Sequence, residues 1–274
     1  MKNIFKQLGK AICYYLLFLG MQFMVGFAMM FCFVFMETAK MMAAGNYDME
    51  AISAAASQAL LQNSNLMTAI SGIFTLLVLW IFLLIRKKKL TVEAGVTSLP
   101  KVSIAYMVLL GIVLAITVSF GLSLLPESWL AAYAEQANMM VGGPVLLTVF
   151  STMIVAPVVE EVIFRGLMLS RLRKAMPAGW AIAVVSLLFG LAHGQILWIA
   201  YAFILGIILS LVVMKTESLA ASICLHMTFN IFGTVVPVLS EGITSTAVYV
   251  IITVLGCAAS VCLLLHFMKK QHHS

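Results

Sequence analysis

Five ionisable side chains, Glu160, Glu161, Arg165, His193 and His226, sit inside strongly apolar stretches of this sequence. A charged group at the centre of a membrane-spanning helix costs about 2.5–3.5 kcal/mol on insertion scales, and such groups mark functional sites by default. Glu161 and Arg165 are four residues apart, so they share a helix face, with the acid first, the favoured order for an ion pair. Glu160 projects about 100° away and is left for chemistry. Phe189 and His193 repeat the four-residue spacing between Gly190 and Gly194, which thin the chain and allow close approach; His226 and Asn230 repeat it again. A carboxylate beside a histidine can take a proton from water. A second histidine and an asparagine can donate hydrogen bonds to the oxyanion formed when that water attacks an amide. Each pair alone has a plainer reading: an ion pair that fixes helix packing, an interhelical hydrogen bonder, a polar His/Asn contact between helices.

Other hydrolytic chemistries fit poorly. Asp48 is the only aspartate, which excludes an aspartyl dyad, and no His-Glu-x-x-His zinc motif is present. A serine mechanism could pair Ser222 with His226, but nothing resembles a nucleophile turn around Ser222. The five cysteines, Cys13, Cys32, Cys224, Cys257 and Cys262, lack metal-type spacing and read as small apolar packing residues.

The elements that must hold these residues are membrane helices. The chain is 63% hydrophobic and 9% charged, against about 25% charged in soluble domains. Runs near the 20 apolar residues needed to cross the hydrocarbon core predict an all-α polytopic bundle of eight spans: 11–36, 66–85, 102–125, 143–169, 179–197, 199–214, 218–237 and 246–267. Fusing the fifth and sixth would give seven. The run Ala11–Met36 is longer than the apolar part of a signal peptide and reads as an uncleaved first span. The segment 37–65 reads as an outer loop with an interfacial helix, and 90–101, with Gly95 and Pro100, as an inner linker.

Charge fixes the direction. With eight spans and both termini cytoplasmic, the inner segments hold Lys2, Lys6, Lys10, the Arg86–Lys89 run, Lys101, Arg171, Arg173, Lys174, Lys215, Lys269 and Lys270, and the outer loops hold Lys40 as their one basic residue. The formal charge of +6 is thus an orientation signal and does not point to nucleic acid. A rise of 1.5 Å per residue from the inner surface puts Glu160 about 14 Å deep, His226 about 12 Å, Asn230 about 18 Å and His193 about 21 Å. All fall in the inner or middle part of the membrane, and these counts predict one cavity entered from the cytoplasm. Pro157, one turn before Glu160, predicts a kink that leaves the carbonyl of Met153 without its helical donor. Ala202, Gly206 and Ser210 form a small-residue ridge that predicts close helix packing.

Taken in order on successive spans, Glu160-Glu161-x-x-x-Arg165, Phe189-x-x-x-His193 and His226-x-x-x-Asn230 resemble the CPBP intramembrane proteases, the family of the type II CAAX prenyl endopeptidases and of bacterial relatives tied to peptide maturation and bacteriocin self-immunity. The resemblance covers residues 143–237, a catalytic core between N-terminal helices with their outer loop (1–142) and a last helix with a basic tail (238–274). It implies that Glu160 and His193 activate water, that His226 and Asn230 hold the oxyanion, and that Glu161, Arg165 and Phe189 support them. Members are often called metalloproteases; no metal is assigned by the sequence, though Glu160, His193 and His226 could in principle bind zinc or another divalent ion. The reading is a multi-pass endopeptidase of the cell membrane acting on a peptide or membrane-protein substrate at or in the lipid, and a lipidated C-terminus, a peptide precursor or a membrane segment all fit. Two alternatives stay open: a non-catalytic immunity or peptide-binding membrane protein, and a proton-coupled transporter using Glu160 and the histidines as a relay.

Overall fold

The computed structural model describes residues 2–45, 48–99, 101–141 and 143–270; Pro100 and the side chains of Lys2, Lys101, Val102, Met139, Met140, Val141 and Lys270 lie outside what it describes. The chain is a multi-pass integral membrane protein, all-helical among these residues. The long α1 (Lys2–Ala43) is followed by α2 (Met49–Gln62), α3 (Ser64–Ile85), α4 (Lys101–Leu122), α5 (Glu127–Val141) and α6 (Val145–Leu172). Then come α7 (Ala178–Leu191), α8 (Ile196–Thr216), α9 (Leu219–Leu239) and α10 (Thr246–Lys270). Asp48 caps α2 by accepting from the N–H groups of Glu50 and Ala51, so the predicted outer segment 37–65 is the end of α1 plus a capped helix.

Seven helices among the described residues are long and apolar enough to cross a membrane, and α7 is a shorter apolar one. The predicted fifth span, 179–197, therefore stops at Leu191. At 14 residues α7 is about 21 Å long, short of the roughly 30 Å hydrocarbon core. Gly194, at φ +75°, turns the chain, and the Gln195 side chain caps α8 by accepting from Leu197 and Trp198. A Cβ on Gly190 would stand 2.8 Å from the Ile199 carbonyl oxygen, and one on Gly206 would stand 3.0 Å from the Ser186 Cβ. Residues 186–190 thus lie against 199–206 in antiparallel order. The chain still reverses between α7 and α8, so the charge arithmetic of eight passes survives the short helix.

The central element is α6. Its inner half is buried around the chain: Ile163, Phe164, Leu167 and Met168 are fully enclosed. Phe18 of α1 and Phe189 of α7 meet the Phe164 ring edge-on at 5.4 and 5.3 Å. Two stretches of α6, Val149–Val155 and Glu161–Leu169, run in the wider i→i+5 register, a backbone variant that concentrates at functional sites.

The basic residues gather at one end of the bundle, where Lys10 sits in the combined field of Arg171, Lys6, Lys88 and Arg86. That end is packed shut. Glu93, in a single helical turn after α3, takes Lys88 at 2.5 Å and Arg171 at 2.7 Å. The hydrogen bond from Lys88, aided by Arg171, holds the Glu93 carboxyl below the usual glutamate range against the opposing effect of burial. Leu219 N–H donates to the Gly95 carbonyl and Ser218 Oγ to that of Thr97. Gly166 of α6 lets Ala94 approach so closely that a Cβ there would meet the Ala94 oxygen at 2.9 Å.

Candidate active site

Glu161 and Arg165 form the buried ion pair that their spacing predicts, Oε1 to Nη1 at 2.8 Å, both enclosed. The pair is not self-contained. The same Glu161 Oε1 lies 2.9 Å from Nδ1 of His226. A carboxylate accepts, so Nδ1 carries the proton and Nε2 is turned to the other side. There it stands 3.7 Å from Oε2 of Glu160, longer than a hydrogen bond and within ion-pair range when the ring is protonated. Glu161 thus does two jobs, as counter-charge to Arg165 and as orienting partner to His226. Arg165 also stacks on Phe189, with its guanidinium carbon 4.1 Å from the ring centroid. Gly206, in the small-residue ridge of α8, makes room for it: a Cβ there would be 3.1 Å from Nη2.

His193 lies in the turn after α7. Its Nδ1 is 2.8 Å from the Phe189 carbonyl oxygen. A carbonyl can only accept, so Nδ1 again holds the proton and the neutral ring keeps a lone pair on Nε2. The Phe189 ring separates the two histidines, with centroids 4.9 Å from His193 and 5.7 Å from His226.

Asn230 corrects one expectation. Its Nδ2 donates to the Thr152 carbonyl at 2.9 Å. In the wide register of α6 the Ala156 N–H reaches back five residues to Ser151. The residue that would serve Thr152 in the same register is Pro157, which has no N–H. The carbonyl deprived by the proline is therefore that of Thr152, not of Met153 as a regular i→i−4 count predicts, and α9 supplies the missing donor. Asn230 keeps one further amide hydrogen and its Oδ1.

Glu160, Phe189, His193, His226 and Asn230 all line one cavity of about 1120 Å³. The structure brings together every predicted site residue; Glu161 and Arg165 stand behind the cavity wall. Ser222 is fully buried, donates to the Leu219 carbonyl and does not line the cavity, which leaves a serine mechanism without its nucleophile. Among the described residues no three of His, Cys, Asp and Glu stand together as a set able to hold a metal ion; both histidines have Nδ1 engaged and Nε2 remaining.

The direction of the cavity overturns the expected cytoplasmic entry. Its walls come from the halves of the helices away from the basic end: Ser64–Thr75 of α3, Ala115–Leu122 of α4, Trp198–Leu205 of α8 and His226–Val238 of α9. Residues 132–138 of α5, which joins the outer ends of α4 and α6, complete it. The basic end is cytoplasmic by the positive-inside rule, so the cavity opens outward. Depth counts could not see that the inner side is filled by the core around Phe164. Sequence reading also missed Thr152, Tyr133, Trp198 and Tyr201. The first is a backbone partner and carries no side-chain signal, and the aromatics are ordinary residues of apolar helices until the fold groups them.

Residues 142–232 match the family described as type II CAAX prenyl endopeptidase Rce1-like. An uncharacterized 24.3 kDa protein of Escherichia coli is 35% identical over 94 residues, 32% of this chain and 43% of that protein. The membrane-embedded CAAX protease MroQ of Staphylococcus aureus (strain USA300) is 33% identical over 90 residues, 31% of this chain and 36% of MroQ. The chain spans less than half the length of the curated relatives it matches. No solved structure matches. By sequence, the segment 142–232, which carries Glu160, Phe189, His193, His226 and Asn230, is similar to the Rce1-like type II CAAX prenyl endopeptidases, the similarity that the three motifs imply.

Proposed function

We propose that the protein is an intramembrane endopeptidase in which Glu160 is the general base. The observation that carries this reading is the division of labour around the glutamate pair. Glu161 is sealed against Arg165 and His226, while Glu160 faces the cavity with the Nε2 of His226 3.7 Å away. A water beside Glu160 loses its proton to that carboxylate as it attacks the scissile carbonyl. His193, with its lone pair on Nε2, orients the same water. The developing oxyanion takes a hydrogen bond from the remaining amide hydrogen of Asn230. It takes a second from Nε2 of His226 when that ring is protonated. Glu160 then passes its proton to the leaving amine. No step of this reading is routed through a metal. The relay reading of a transporter gains no support from a cavity whose inner end is packed shut.

The test compares membrane peptides from cells carrying the wild type and Glu160→Gln. Cleavage products that accumulate with the wild type and vanish with the variant, at equal protein level, support the reading. Products that persist in the variant sink it.

A further inference from the structure

The cavity holds more than the three motifs. Its lining includes two carboxylates, Glu160 and, from α5, Glu135, and among the described residues no lysine or arginine. Aromatic side chains line the same space, among them Tyr133, Trp198, Tyr201 and Phe229. Tyr133 stands edge-on to Trp198 at 5.9 Å, and Trp198 stands 6.4 Å from the His193 ring. Carboxylates and aromatic faces in a partly desolvated space both draw in cations, the first by charge and the second by the ring quadrupole. The outer loops add to the field, with Glu37, Asp48, Glu50, Glu127 and Glu241 against Lys40, which is itself paired with Glu37 at 2.6 Å. At about 1120 Å³ the cavity exceeds the usual range for small-molecule pockets, about 300–1,000 Å³.

Resting on the endopeptidase reading, we propose that the substrate is a cationic peptide segment arriving at the outer face of the membrane. It enters beneath α5 and sets a basic side chain against Glu135 and the Tyr133–Trp198 pair. A cytosolic segment of the same charge would meet the packed basic end and be repelled by it.

Binding is tested apart from cleavage, in the Glu160→Gln background with the five native cysteines replaced. Single cysteines at Thr68 and Ser119, both on the cavity wall, are exposed to a membrane-impermeant maleimide in right-side-out and inside-out vesicles. Two positions are used so that a misfolded variant at one leaves the other readable. Labelling is expected in right-side-out vesicles. A short lysine-bearing peptide should protect at about ten-fold lower concentration than its glutamine counterpart, and Glu135→Gln should erase that difference. Labelling confined to inside-out vesicles, equal protection by the two peptides, or a preference that survives Glu135→Gln would each overturn the proposal. Failure of the endopeptidase reading shows separately, as cleavage that persists in Glu160→Gln.

Discussion

At the residue scale, Glu161 is the most connected side chain of the site, shared by Arg165 and His226 through a single oxygen. Removing its charge strands a fully buried guanidinium, a loss of about 3–5 kcal/mol. Glu161→Gln is therefore expected to lower the melting temperature sharply in detergent, whereas Glu160→Gln, at a cavity wall, should leave it nearly unchanged while removing turnover. Asn230 and Pro157 are coupled through the Thr152 carbonyl. Asn230→Ala removes the side-chain partner of that half-buried acceptor, which costs about 1 kcal/mol. Pro157→Ala restores an N–H in the right register, so the double variant should lose less than Asn230→Ala alone. A double-mutant cycle on thermal unfolding checks this; strict additivity would show that the proline is not what Asn230 compensates. The side chains also lead to an expectation of activity without stoichiometric metal. About one zinc per chain by elemental analysis, with activity lost on chelation and regained on zinc addition, would contradict it.

At the scale of elements, the α7–α8 hairpin depends on close backbone approach. Gly190→Val would drive a side chain into the Ile199 carbonyl oxygen, 2.8 Å from the new Cβ. Overpacking of this kind costs about 1–3 kcal/mol. It should also displace His193 three residues on, so turnover is expected to fall with melting temperature; full activity at a lowered melting temperature would mean that the hairpin does not set the His193 position. The closed inner end has its own signature. A carboxyl whose folded pKa is depressed contributes stability above its unfolded value and loses it as pH falls through the folded one. Glu93, held low by Lys88 and Arg171, should thus stabilise the protein by about 1 kcal/mol at neutral pH relative to Glu93→Gln. The gap should close below the ordinary glutamate value of about 4.3. Unfolding of both forms measured across pH tests the sign; a gap that widens in acid would contradict the assignment.

At the scale of the whole molecule, seven membrane-length helices and the short α7 make a definite map when the basic end is taken as cytoplasmic. Cysteines placed at Lys174 and Lys215 should label from the cytoplasmic side and one at Glu241 from the outer side; Lys174 and Lys215 on opposite sides would break the map. The sequence by itself determined the class, most of the helices and which polar side chains meet around one cavity. Charge is too costly in lipid to be placed idly, so Glu160, Glu161, Arg165, His193 and His226 announced themselves by type. Four-residue spacings are local, so the pairs Glu161–Arg165, Phe189–His193 and His226–Asn230 could be read without a fold. What only the tertiary structure decided was which atoms meet across helices. The sharing of Glu161 between Arg165 and His226, the service of Asn230 to Thr152 and the grouping of Tyr133 with Trp198 join residues far apart in the chain. The side on which the cavity opens was decided there too. Depth along a helix follows from counting residues, but whether the space above or below them is filled depends on side chains from every neighbouring helix, and here Phe164 and its partners fill the cytoplasmic half.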